Sequence, residues 1–168
     1  AHGERFLAFG LGTAIPTMPF NRADYYVGTP ATANPNCAPG TGTLFKNVIG
    51  DTASPYALID CVANMQVVFR LDTNLDGIPD QTVNDISGLD AYAVKTQVKE
   101  VHIYILAHEG RKDPGFTSEL ASSSTTVGPS ASLGTTVDLA ALDTSTGTAW
   151  KNYRWKITKL VVKPKSFY

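Results

Sequence analysis

The sequence is short of charge, histidine, cysteine and long apolar runs, and each shortage excludes something. Only 17% of its 168 residues are Asp, Glu, Lys or Arg, against about a quarter in an ordinary domain. The two signs nearly cancel, leaving a formal net charge of −1. No basic or acidic block is present, so the electrostatic footprint that nucleic-acid binding requires is missing. The basic residues between positions 151 and 165 alternate with apolar ones and read as the solvated face of a strand. No apolar run approaches the roughly 20 residues that cross a bilayer. The opening stretch, AHGERFLAFGLG, lacks the basic start and long apolar core of a secretory signal. If the protein is exported or anchored, the signal or anchor is expected to have been removed or to come from a partner.

Catalytic signatures are equally scarce. There is no G-x-S-x-G elbow and no phosphate-binding loop, and GLGTAIP lacks the third glycine and the helix of a dinucleotide site. Of three histidines, His2 belongs to the terminus, and His102 and His108 lie six positions apart on one strand. Six strand residues span roughly 20 Å, so these two cannot share an ion without a bend. They read as structural or surface residues. Glu109, Asp113 and Glu119 fall in a loop, HEGRKDPGFTSE, and read as solvated charges. No enzyme is expected.

The two cysteines, Cys37 and Cys61, are 24 positions apart with no histidine nearby in the chain. Zinc usually takes four ligands, so the pair makes a poor zinc site. A disulfide is the favoured reading, stabilising the fold by about 3 kcal/mol in the chain-entropy model, and it implies an oxidising compartment. Two buried free thiols are the alternative.

What is abundant is apolar and small. Hydrophobic residues make up 43%, enough for a core, and the length suits a single domain over 1–168. Glycine, proline, serine and threonine fill the place of charge, favouring strands and long loops. Strands are expected at 4–11 (ERFLAFGL), around 25–27, at 43–49 (TLFKNVI) and at 64–72 (NMQVVFRLD). Residues 85–98 suit one or two helical turns. The clearest strand is VKEVHIYILAHE: one face carries Val98, Glu100, His102, Tyr104, Leu106 and His108, the other Val101, Ile103, Ile105 and Ala107. Such a strand belongs near a sheet centre. Residues 117–149 hold 15 Ser or Thr and read as a surface excursion, with TTVDLAAL a short strand or a turn of helix. YRWKITKLVVKP closes the chain as a last strand, with Tyr153 and Trp155 packing into a core. The expected class is α+β, dominated by antiparallel β-sheet.

The stretch LDTNLDGIPD carries the strongest chemical signal. Asp72, Asn74 and Asp76 occupy positions 1, 3 and 5 of a calcium loop, with Gly77 at the bend, the Ile78 carbonyl at position 7 and Asp80 at position 9. Hard oxygens at alternate positions suit calcium in a structural role. The pattern then breaks, because Val83 stands where a bidentate glutamate belongs and a strand, not a helix, precedes the loop. The alternative is a turn whose Asp and Asn side chains cap their own backbone.

Four stretches, CAPGTGTLFKN, LIDCVANMQVVFRLDTNLDGIPD, QVKEVHIYILAHEGRKDP and NYRWKITKLVVKP, in this order and spacing, resemble the C-terminal half of PilW-type minor pilins of type IV pili. The correspondence runs through residues 44–46, 58–76, 98–107 and 153–162 and covers most of 37–163. The resemblance implies a pilin- or pseudopilin-like globular head with long loops. It also implies a non-catalytic, extracytoplasmic subunit that initiates or caps a pilus or pseudopilus. The family's N-terminal stem helix has no counterpart in this stretch. It is expected to be missing or supplied by a partner, either another pilin subunit or a small helical pilin, and any membrane attachment would run through it. The expected location is an extracellular filament, the cell surface or the periplasm. A cell-surface adhesion or carbohydrate-binding module, using exposed aromatics such as Trp150 and the Ser/Thr-rich excursion, is the alternative; a secreted hydrolase ranks below both.

Overall fold

The computed structural model describes residues 22–120, 122–142 and 149–164. The strand expected at 4–11 lies outside them. Among the described residues eight strands are present: β1 Ala23–Gly28, β2 Gly42–Val48, β3 Tyr56–Leu71, β4 Gln81–Val83, β5 Val98–Glu109, β6 Ser124–Val127, β7 Thr135–Asp138 and β8 Arg154–Val162. Two short helices, α1 Ala91–Gln97 and α2 Leu139–Leu142, and one 3₁₀ turn, Ala149–Asn152, complete the described elements.

The main sheet runs β1-β2-β3-β5-β8, with β4 pairing the far end of β3. Every pairing is antiparallel, as short chain reversals allow. The centre is β3 against β5, in register from Phe69↔Val101 to Met65↔Ile105. Both strands are rich in Val and Ile, with Phe69 on β3 and Tyr104 on β5, whose branched or flat side chains pack well on a pleated surface. α1 starts at Asp90, whose side chain accepts the Ala93 N–H at 2.7 Å, the usual N-cap contact.

β3 is longer than expected, because residues 56–63 extend it toward β2. The strand bends where its register shifts, between Val62 and Asn64. Next to the bend, Cys61 adopts φ 57°, a left-handed conformation that few non-glycine residues hold without support. Irregularities of this kind let one strand serve two partners and re-aim a side chain.

Alternation along the central strands gives the sheet two apolar faces. One is covered. Val68, Tyr104 and Leu106 pack with Val127 of β6, Leu139 of α2 and Trp150 of the 3₁₀ turn. Val127 and Leu139 are wholly buried, so the Ser/Thr-rich stretch is not merely a surface excursion. Val127 and Leu139 close the main core. The β6–β7 hairpin fits because Gly134 has no side chain: a Cβ there would lie 2.4 Å from the Val127 carbonyl oxygen. TTVDLAAL supplies both a strand, β7, and a helical turn, α2. The second face gathers Leu44, Val62 and Ile105, with Val27, Met65, Ile103 and Ala107 against them.

Candidate functional site

Three features carry chemistry: the aspartate loop, a cysteine–histidine cluster, and the second sheet face.

The loop leaves β3 at Asp72, which is fully buried. Its Oδ1 accepts the Asp76 N–H at 3.1 Å and its Oδ2 the Gly77 N–H at 2.8 Å. The Lys99 ammonium stands 3.3 Å from Oδ2. Burial pushes the Asp72 carboxyl up, but hydrogen bonds from Gly77, Lys99 and Asp76 outweigh it and hold the group below the ordinary carboxylate range. Asn74 Oδ1 also accepts the Asp76 N–H at 3.1 Å, and Asp76 Oδ1 accepts the Ile78 N–H at 2.8 Å. Asp80 accepts the Thr73 N–H at 3.0 Å and its hydroxyl at 2.9 Å; these contacts also lower its pKa. Gly77 holds φ 93°, the conformation that turns the backbone N–H groups inward.

The five residues of the calcium pattern are thus on one loop, with the Asp and Asn oxygens turned on the loop's own N–H groups. Lys99, from the start of β5, already supplies a positive charge to Asp72. This is the self-capping turn that the sequence offered as the alternative to calcium. A calcium ion would compete with Lys99 and with those backbone donors for the same oxygens.

Among the described residues, the one convergence of three His, Cys, Asp or Glu ligand atoms is elsewhere. Cys37 and Cys61 form the expected disulfide, with Cα atoms 4.9 Å apart. His108, from the end of β5, brings a ring nitrogen to within 4.8 Å of both sulfurs. His108 Nε2 accepts the N–H of Ala38 at 2.8 Å, while Nδ1 is buried without a hydrogen-bond partner. Tyr153 and Trp155 flank the ring at centroid distances of 4.6 and 5.0 Å. Desolvation lowers the His108 pKa, with the carbonyls of Glu109 and Gly110 acting in the opposite, weaker sense. Reading along the chain missed this group, since no histidine lies near either cysteine in sequence. The available signal was weak: strand alternation puts His108 on the same face as Leu106, but the β3 bend that brings Cys61 there has no motif.

The remaining candidates are structural. His102 pairs with Glu100 at 2.8 Å, which also meets Lys163 at 3.1 Å. Trp150 and Tyr153 are buried, and Trp155 donates its indole N–H to the Trp150 carbonyl at 2.9 Å. Core packing therefore accounts for all three aromatics, and Trp150 is not displayed as a sugar platform.

The second sheet face is different in kind. Leu44, Val62 and Ile105 are buried on it, and beside them it forms a shallow depression of about 500 Å³ lined by Tyr25, Leu58, Met65, Val67, Ile103 and Leu160, among others. Tyr25 is 53% exposed, Leu58 48% and Leu160 46%. No helix among the described residues is long and apolar enough to cross a membrane. Compared with family models, with curated proteins and with solved structures, the chain finds no match in any of the three.

Proposed function

We propose that this domain is a non-catalytic, extracytoplasmic head of the minor-pilin type, working by protein–protein assembly in a type IV pilus or pseudopilus. One observation carries the reading: a central antiparallel sheet buries one apolar face under its own hairpin and helical turn, and among the described residues the other face carries a shallow apolar depression rimmed by exposed Tyr25, Leu58 and Leu160. Contiguous exposed apolar surface of this kind marks an interaction site. An apolar helix face, such as a pilin stem supplied by a partner subunit, is the kind of occupant a shallow apolar groove receives. The disulfide agrees with an oxidising compartment, and the order of the four pilin-like stretches supplies the family.

The aspartate loop takes a structural part in this reading. It fixes the crossing from β3 to β4 through Asp72 and Lys99, and calcium is a proposed additional ligand. Adding calcium to metal-stripped protein, with melting temperature as the readout, tests that ligand. A rise that Asp72→Ala plus Asp76→Ala abolishes supports it; an unchanged melt removes it.

The assembly reading is tested by co-expression with helical pilin subunits, followed by shearing and isolation of filaments. The wild-type chain is expected in the filament fraction. Met65→Lys plus Leu160→Lys, folded by circular dichroism, is expected to be lost from it. Equal recovery of the two forms overturns the assignment of this face.

A further inference from the structure

Independently of the assembly reading, we propose that Cys37, Cys61 and His108 form a second, redox-gated site: with the disulfide open, they chelate a thiolate-preferring divalent ion of the zinc class. Three separate elements deliver the ligands. Cys37 comes from the loop before β2, Cys61 from beside the β3 bend and His108 from the end of β5, and their ligand atoms lie within 4.8 Å of one another. Ligands on a tetrahedral ion with bonds of about 2.0–2.3 Å stand roughly 3.5–3.8 Å apart. The histidine side therefore closes by about 1 Å, and the two sulfurs, freed from their bond, part to about 3.8 Å.

The histidine is oriented for it. The Nε2 lone pair points at the N–H of Ala38, the residue after Cys37, so it already faces the cysteine loop. Tyr153 and Trp155 hold the ring plane. Bound metal takes that lone pair in place of the Ala38 N–H, and the ring proton stays on Nδ1. Two thiolates, one neutral imidazole and a divalent ion sum to zero charge, which suits a site whose Cys61 and His108 are buried. The fourth position is left to water. Entry is available from two sides: a depression of about 150 Å³ lined by Cys37 and Ala38, and one of about 280 Å³ lined by His108.

The balance is simple. A dithiol reductant gives two electrons and two protons to the Cys37–Cys61 bond and leaves as its own disulfide. The ion then displaces the two thiol protons. Disulfide and metal are mutually exclusive, so the oxidised protein has no site.

The test uses the full chain, reduced with a dithiol and freed of it anaerobically, then titrated with cobalt and zinc ions. One cobalt per chain with thiolate-to-cobalt charge-transfer absorption is expected, and none in the oxidised protein. His108→Gln should weaken binding by at least about tenfold, since even loss of an outer-shell partner costs about 10–100-fold; His102→Gln should leave it unchanged. X-ray absorption on the zinc-loaded wild-type protein needs no variant, and should show two sulfurs near about 2.3 Å with nitrogen near about 2.0 Å. Absence of charge transfer in reduced protein, a shell without nitrogen, or undiminished affinity in His108→Gln overturns the proposal.

Discussion

At the scale of single residues, Asp72 shows how a buried carboxylate is kept charged. Two backbone N–H groups and the Lys99 ammonium meet its oxygens, and together they exceed the desolvation that opposes them. Its folded-state pKa is therefore lowered. By linkage, the unfolded chain binds the proton more readily, so the stability it contributes is full above the unfolded carboxylate value of about 3.9. That stability is lost as pH falls through the lower folded value. Acid titration of unfolding between about pH 5 and pH 2 should show a drop that Asp72→Asn flattens, while Asp85→Asn in the exposed neighbouring turn keeps part of it. An identical acid profile in Asp72→Asn would remove Asp72 as the cause. The disulfide makes a second residue-scale case. Replacing Cys37 and Cys61 by serine together should cost about 3 kcal/mol for a loop of this length, read as a lower denaturant midpoint. An unchanged midpoint would show that His108 and the β2–β3 pairing hold the bend alone.

At the scale of elements, the division between what the chain spells out and what it conceals follows range. β5 was legible to the residue, because twelve alternating positions from Val98 to Glu109 carry a period-2 pattern. β8 and the second half of β3 were legible for the same reason. The first half of β3 was not: its exposed residues, 56–60, alternate poorly, and its pairing with β2 depends on a bend that no local pattern encodes. The β6–β7 hairpin was concealed by composition. Serine and threonine dominate it, and its one wholly buried residue, Val127, is isolated among them, whereas Leu139 lies in the short apolar run that was read as a strand or a helical turn. The aspartate loop was visible as a loop, but Lys99, its counter-charge, sits on β5 and has no local signature. The hairpin and α2 together act as the lid of the main core, which gives a direct expectation. Leu139→Ala should destabilise by about 2–5 kcal/mol, as large-to-small changes at packed sites do. Leu75→Ala, in the exposed part of the aspartate loop, should change stability by less than about 0.5 kcal/mol. Chemical denaturation of both variants decides it; near-equal losses would mean that the Ser/Thr-rich stretch is not closing the core.

At the scale of the whole molecule, the two sheet faces are unequal, and that inequality sets the expected behaviour of the isolated domain. The covered face contributes cohesion; the open one exposes Tyr25, Leu58 and Leu160 around a floor of Met65, Val67 and Ile103. β8, at one edge, is exposed along almost its whole length, yet Arg154, Lys156 and Lys159 line it, and charged edge residues of this sort discourage indiscriminate pairing with other strands. A ligand that binds only the folded state raises its stability by about 2.7 kcal/mol when present at 100 times its dissociation constant. For a domain of this size each kcal/mol corresponds to about 2–4 °C in melting temperature. A synthetic amphipathic helix carrying the apolar stripe of a pilin stem, added at rising concentration, should therefore raise the melting temperature by several degrees and saturate. The rise should vanish in Met65→Lys plus Leu160→Lys, whose own melt should stay close to wild type because Leu160 is half exposed and Met65 only partly buried. A scrambled peptide of the same composition, lacking the stripe, should do nothing. Equal stabilisation by both peptides would reduce the open face to a greasy surface without shape selectivity, and no stabilisation by either would remove a helix as its occupant.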